Sequence, residues 1–140
     1  MTTNTLSSKN VVIIGGTAGI GLATAQAAAA LGAKVWAAGR SEAHIENAKK
    51  LSNGSFEIRQ ADTHDAESLE AIFNEVGEID HLVSAAVGGE RTLKPFLEQT
   101  EAQFKAAYDK LWGYAKVVRT GAPYLAKDGA ITLVSGSPAR

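Results

Sequence analysis

The chain has 140 residues, a formal net charge of −1 and charges of both signs mixed along its length. That fits a single domain and offers no basic stripe for nucleic acid or an acidic lipid surface. Cysteine is absent, which excludes disulfides and thiolate metal sites; His44, His64 and His81 are scattered without metal-ligand spacing and read as surface or helix-end residues.

Residues 1–8 are small and polar and read as a disordered tail without the basic start and apolar run of a signal peptide. No run of eighteen apolar residues follows, so a soluble, cytoplasmic protein is expected. Strand one spans about 10–15. Its core, Val11-Val12-Ile13-Ile14, is apolar without alternation, as in a parallel strand buried on both faces. Gly15, Gly19 and Gly21 then form a G-x-x-x-G-x-G turn that opens an alanine-rich helix over about 19–31. This is neither the commoner G-x-G-x-x-G fingerprint nor a P-loop. Glycines there let the chain turn sharply and let a ligand approach the main chain. The helix start directs N–H groups and the positive dipole end at the turn, and a diphosphate is the ligand that best fits.

Strand two covers 34–38, with Ser41 as N-cap of a helix running to about Leu51. Strand three, 55–60, alternates Phe56 and Ile58 with polar residues and suits an edge. Helix three covers about 65–76, with Asp62 as a possible cap, and strand four 79–85. A long helix is expected from Thr100 to about Ala126, with Pro123 bending or ending it. Its apolar face comprises Phe104, Ala107, Tyr108, Leu111, Trp112, Ala115 and Val118, mainly as cover for the sheet. Lys127-Asp128-Gly129 reads as a turn before strand five, 130–134. The alternation of strand and helix predicts an α/β fold, a Rossmann-like doubly wound parallel sheet of about five strands in order 3-2-1-4-5. The sixth strand of the full fold would lie past Arg140, so strand five is expected to be an open edge. A fragment or an oligomer would explain it.

The glycine turn, the Gly39-Arg40 tip of strand two, Asp62 and the serine-rich segment after strand five occur in an order that resembles the short-chain dehydrogenases/reductases over nearly all of 10–137. The resemblance implies an NAD(P)-binding Rossmann domain over 9–140, incomplete at its C-terminal side. It also implies hydride transfer between a nicotinamide and a carbonyl or alcohol substrate. The implied cofactor contacts are Gly15, Thr17, Ala18, Gly19, Ile20, Gly21, Arg40, Ser41, Asp62, Thr63, Ala85 and Ala86. Family members that use NAD carry an acidic residue at the strand-two tip. Arg40 suits a 2′-phosphate instead, so NADP(H) is expected ahead of NAD(H). Ala18 stands where many NADP-using relatives carry a second basic residue.

The catalytic pattern departs from the family's. The asparagine column of the long helix falls on Lys110, and the serine column falls on Gly136 between Ser135 and Ser137. Lys110, Ser135 and Ser137 are the candidate catalytic residues, and Lys110 can equally snorkel to the surface. The Tyr-x-x-x-Lys segment that supplies the family's proton donor falls past Arg140, so this stretch alone is expected to lack that donor. No metal, nucleic acid or membrane is implied. A non-catalytic dinucleotide-binding module is the alternative. So is a fold kept for association, with a second copy meeting the 100–126 helix or the open sheet edge.

Overall fold

The computed structural model describes residues 5–89 and 92–136. Five parallel strands carry the fold: β1 (Asn10–Ile14), β2 (Lys34–Gly39), β3 (Glu57–Gln60), β4 (Ile79–Ser84) and β5 (Leu125–Leu133). Their order is β3-β2-β1-β4-β5, as the alternation of elements predicts. The helices are α1 (Gly19–Ala30), α2 (Glu42–Ser52), α3 (Ala66–Val76), α4 (Glu101–Ala106) and α5 (Asp109–Gly121), with short 3₁₀ turns at Phe96–Glu98 and Ala122–Tyr124.

Central β1 is buried from Val11 to Ile14. Successive residues of a strand point to opposite faces, so β1 feeds two separate cores. Val11 and Ile13 join Leu22, Ala25 and Ala28 of α1, with Ala48 of α2, on one face. Val12 and Ile14 join Leu69, Ile72 and Phe73 of α3, with Val117 of α5, on the other. The alanines of α1 let it lie close to the sheet. Gly21, Leu22, Ala25 and Ala28 form its buried stripe. Polar caps mark the helix starts. Ser41 Oγ accepts from the His44 N–H at 3.4 Å, and Asp65 Oδ1 accepts from the Glu67 N–H at 3.1 Å. Asp65, rather than Asp62, therefore caps α3. Asn53, at φ 47°, ends α2 in the left-handed conformation.

Several expectations need correction. Residues 5–8 form a turn rather than a disordered tail: the Leu6 N–H bonds the Leu31 carbonyl at 3.1 Å, and the Leu6 side chain packs on the α1 core. Residues 1–4 lie outside the described residues. The long helix is two helices. At the end of α4 the ladder tightens, with Ala107 N–H to Phe104 O at 3.2 Å and Tyr108 N–H to Lys105 O at 3.1 Å, before α5 restarts it. Pro123 falls in the 3₁₀ turn beyond α5. Gly113, Tyr114, Val117 and Gly121 form the buried face of α5. Phe104, Tyr108, Leu111 and Trp112 point outward, so they do not cover the sheet. Phe104 instead stacks edge-on with Phe96 and Tyr108, at ring separations of 5.3 and 5.6 Å. Strand five begins at Leu125. The Lys127-Asp128-Gly129 segment is a bulge within it, because the pairing with β4 slips between Ile79↔Leu125 and His81↔Ala130. Among the described residues β5 pairs with β4 alone.

Candidate cofactor site

A cleft of about 960 Å³ opens along the C-terminal ends of the strands, over the point where the order reverses between β1 and β4. Ligands of doubly wound sheets bind at this position. Its floor is the β1–α1 turn. Gly15 has φ +84° and Gly19 has φ +53°, both in the left-handed region. A Cβ on Gly15 would stand 2.3 Å from the Ala86 nitrogen, so the turn lies flush against the segment that follows β4. A Cβ on Gly19 would meet nothing within 4 Å, because Gly19 faces the open cleft.

Helix α1 starts at this turn without protection. Ala18 offers no side-chain cap, and the first turn carries no acidic residue. The first boundary-crossing bond is Leu22 N–H to Ala18 O at 3.1 Å. The N–H groups ahead of it are the unfilled donors of a helix start, aimed with the positive dipole end into the cleft. That arrangement fits a diphosphate.

Gly15, Thr17, Ala18, Gly19 and Ile20 all line the cleft, as do Arg40, Ser41, Asp62, Thr63, Ala85, Ala86, Lys110 and Ser135. Gly21 does not. Its hydrogen faces the Gly15 carbonyl oxygen, 1.9 Å from where a Cβ would sit, so Gly21 sets how closely α1 packs on the turn. Thr17 is buried against Gly39 at the tip of β2, where a Cβ would fall 2.0 Å from the Thr17 hydroxyl oxygen. Asp62 Oδ1 accepts from the His64 N–H at 2.9 Å and shapes the loop after β3. Arg40 is exposed at the cleft edge and makes no ion pair among the described residues. Ser137 lies outside the described residues.

The start of α5 closes the cleft on the other side, with residues that sequence reasoning did not assign to the site. Asp109 Oδ2 accepts from the Gly89 N–H at 2.7 Å, while Asp109 Oδ1 lies 3.0 Å from His64 Nε2. Lys116 adds a second tie, donating to the His64 carbonyl at 2.7 Å. His64 is thus part of the cleft wall and not simply a surface residue, and His44 lines the cleft as well. The Gly89 N–H, then the His64 ring, hold the Asp109 carboxyl below its ordinary range, with Arg40 adding a weaker pull. Lys110 Nζ sits 5.2 Å from the centre of the Tyr114 ring. Tyr114 is buried, which pushes its phenol up, and its hydroxyl donates to the Val134 carbonyl just ahead of Ser135. Among the described residues no group of three or more histidines and carboxylates could hold a metal ion, and no helix is long and apolar enough to cross a membrane.

The sequence pattern of the short chain dehydrogenases matches residues 9–139. The chain is 34% identical to human L-xylulose reductase over 104 residues, which is 74% of this chain and 41% of that protein. It is 30% identical to 11-beta-hydroxysteroid dehydrogenase A of Sesamum indicum, covering 94% of this chain and 40% of that one. Among solved structures, a short chain dehydrogenase/reductase family protein superposes with a TM-score of 0.75 at 28% identity, covering 91% of this chain and 55% of that one. A short-chain type dehydrogenase/reductase from Mycobacterium ulcerans gives 0.80 at 21% identity, covering 93% and 52%. The chain therefore spans about two fifths of the curated relatives and about half of the solved ones. With the glycine turn, the sheet order and the match over residues 9–139 in agreement, the chain belongs to the short-chain dehydrogenase/reductase family.

Proposed function

We propose that this chain is the cofactor-binding part of an NADP(H)-dependent oxidoreductase that interconverts a carbonyl and an alcohol. The observation that carries the reading is the uncapped, glycine-lined start of α1 with Arg40 and Ser41 at the adjacent β2 tip. The helix start supplies N–H donors to a diphosphate. Arg40 then supplies a guanidinium to a 2′-phosphate, and Gly39 leaves no carboxylate to hold a free ribose diol. Thr17, Asp62 and Thr63 would hold the adenosine half. The bound nicotinamide supplies the hydride chemistry, and the protein supplies position and electrostatics. The relatives' names support the class: one is a reductase and the other a dehydrogenase.

Fluorescence titration of the 140-residue protein with NADPH and then NADH, at one salt concentration, tests this. The expected result is at least tenfold tighter binding of NADPH, with Arg40→Ala weakening NADPH by about tenfold or more and leaving NADH unchanged. Equal affinity for both cofactors would remove the 2′-phosphate argument. Binding to neither would remove the cofactor site itself. Tight binding in a full-length protein without turnover would favour the non-catalytic module. A second copy of this chain is the partner proposed for the outward face of Phe104, Tyr108, Leu111 and Trp112, which is apolar and already stacked. Light scattering that finds a monomer at high concentration would overturn that assignment.

A further inference from the structure

We propose that Lys110 is a substrate-recognition residue and that the reacting end of the cleft takes a carbonyl compound carrying a carboxylate, such as a short 2-oxo acid. The proposal rests on the cofactor reading above. With a diphosphate held at β1 and the adenosine half drawn toward β2 and β3 by Arg40 and Asp62, the strand order leaves one direction for the other half of a dinucleotide. It must run toward the ends of β4 and β5. The groups that line the cleft from those elements include the segment after β4, Lys110 at the start of α5, and Ser135 after β5, with Gln99 and Gln103 on the stretch ahead of α5.

Lys110 is held in that wall. It is half-buried, with its ammonium lying on the face of Tyr114, 5.2 Å from the ring centre. Tyr114 is itself fixed by its hydroxyl bond to the Val134 carbonyl. A cation–π contact positions an ammonium while leaving its N–H donors free. Among the described residues Lys110 Nζ makes no hydrogen bond or ion pair; what sets it apart is the ring that holds it at the cleft wall.

The neighbouring carboxylate is not paired with this ammonium. Both oxygens of Asp109 are engaged, one by the Gly89 N–H and the other by the His64 ring. Among the described residues, the other fully charged ones on the cleft wall, Arg40 and Asp62, lie on the β2 and β3 side. Ala86, Val87 and Leu93, also on the cleft wall, offer no side-chain hydrogen-bond partner of their own. A compact ammonium whose donors are unpartnered among the described residues selects a carboxylate over a neutral group of the same shape.

The test uses the NADPH-saturated 140-residue protein and two probes, 2-oxobutyrate and its neutral methyl ester, read by the change in bound NADPH fluorescence. The oxo acid should bind at least tenfold tighter than the ester. Lys110→Met should bring it down to the level of the ester with NADPH affinity unchanged, and Lys110→Arg should keep part of the preference. Equal binding of the two probes, binding of neither, or a preference that survives in Lys110→Met would each overturn the proposal. So would a loss of NADPH affinity in Lys110→Met, which would assign Lys110 to the cofactor instead. If the unaltered protein fails to bind NADPH at all, the cofactor reading fails first, and this proposal falls with it.

Discussion

Two helix starts face each other across the cleft, and they are built in opposite ways. The start of α1 is made of backbone: glycines, free N–H groups and no side-chain cap. The start of α5 is made of side chains, with Asp109 fastening two loops and Lys110 lying on a tyrosine ring. The first suits a ligand part that every dinucleotide shares, because a diphosphate needs only donors and a dipole. The second can be altered one residue at a time without disturbing the first, so variation in what the cleft accepts belongs there.

The largest effect is expected where backbone meets backbone. A Cβ on Gly21 would stand 1.9 Å from the Gly15 oxygen and 3.0 Å from the Gly16 Cα, and neither atom can swing away. Gly21→Ala should cost about 3 kcal/mol or more in a urea titration and abolish NADPH binding with it. Gly19→Ala meets open space and strains only its φ of +53°, a cost of about 1–2 kcal/mol. If the two variants were equally stable, close packing of α1 on the turn would not be what Gly21 provides.

The same contrast decides what could be read from the sequence. The β1–α1 half was legible because glycine spacing, an unbroken apolar strand and an alanine stripe are all local signals. Sheet order followed from the alternation of elements. The α4–α5 break was not legible. No glycine or proline marks Ala107 or Tyr108; the change of ladder accompanies packing of the β4 loop, where a Cβ on Gly88 would come 2.9 Å from the Lys110 nitrogen. A three- and four-residue apolar spacing fits either face of a helix, and here it traced the outward one. Lys127-Asp128-Gly129 has turn composition, yet an edge strand absorbs it as a bulge whose polar side chains reach water. His64 and Asp109 meet only through the fold, so neither carried a signal of its own. The cleft-lining positions of Arg40, Ser41 and Asp62 were legible from motif order. Ser137 lies outside the described residues.

Asp109 sharpens the comparison from the side-chain end. Asp109→Asn keeps an acceptor for the Gly89 N–H but removes the charge opposite His64. The expected loss is about 1 kcal/mol at neutral pH, far below that of Gly21→Ala. Because the folded-state carboxyl sits below its ordinary range, its contribution is complete above that range and is lost as pH falls through the depressed value. Urea titrations of both proteins should therefore differ at pH 7 and converge in strong acid. A difference that persisted undiminished in strong acid would mean that the Asp109 charge is not what stabilises the fold.

Ser84 lies between the two helix starts and should give the smallest effect. It ends β4, paired with Ile14 on one side and Leu133 on the other, and its side chain is fully buried. Its hydroxyl has no partner among the described residues. The backbone around it is already engaged: Ala85 N–H takes the Ile14 carbonyl at 2.8 Å, and Val134 N–H takes the Ser84 carbonyl at 2.9 Å. A buried hydroxyl without a partner opposes folding, so Ser84→Ala should leave stability unchanged or raise it by up to about 1 kcal/mol. NADPH affinity should not move, since Ser84 does not line the cleft. A loss of stability greater than about 1 kcal/mol would mean that the hydroxyl does find an acceptor. In that case side-chain bonding, and not backbone packing alone, would reach the central strands beneath the glycine turn.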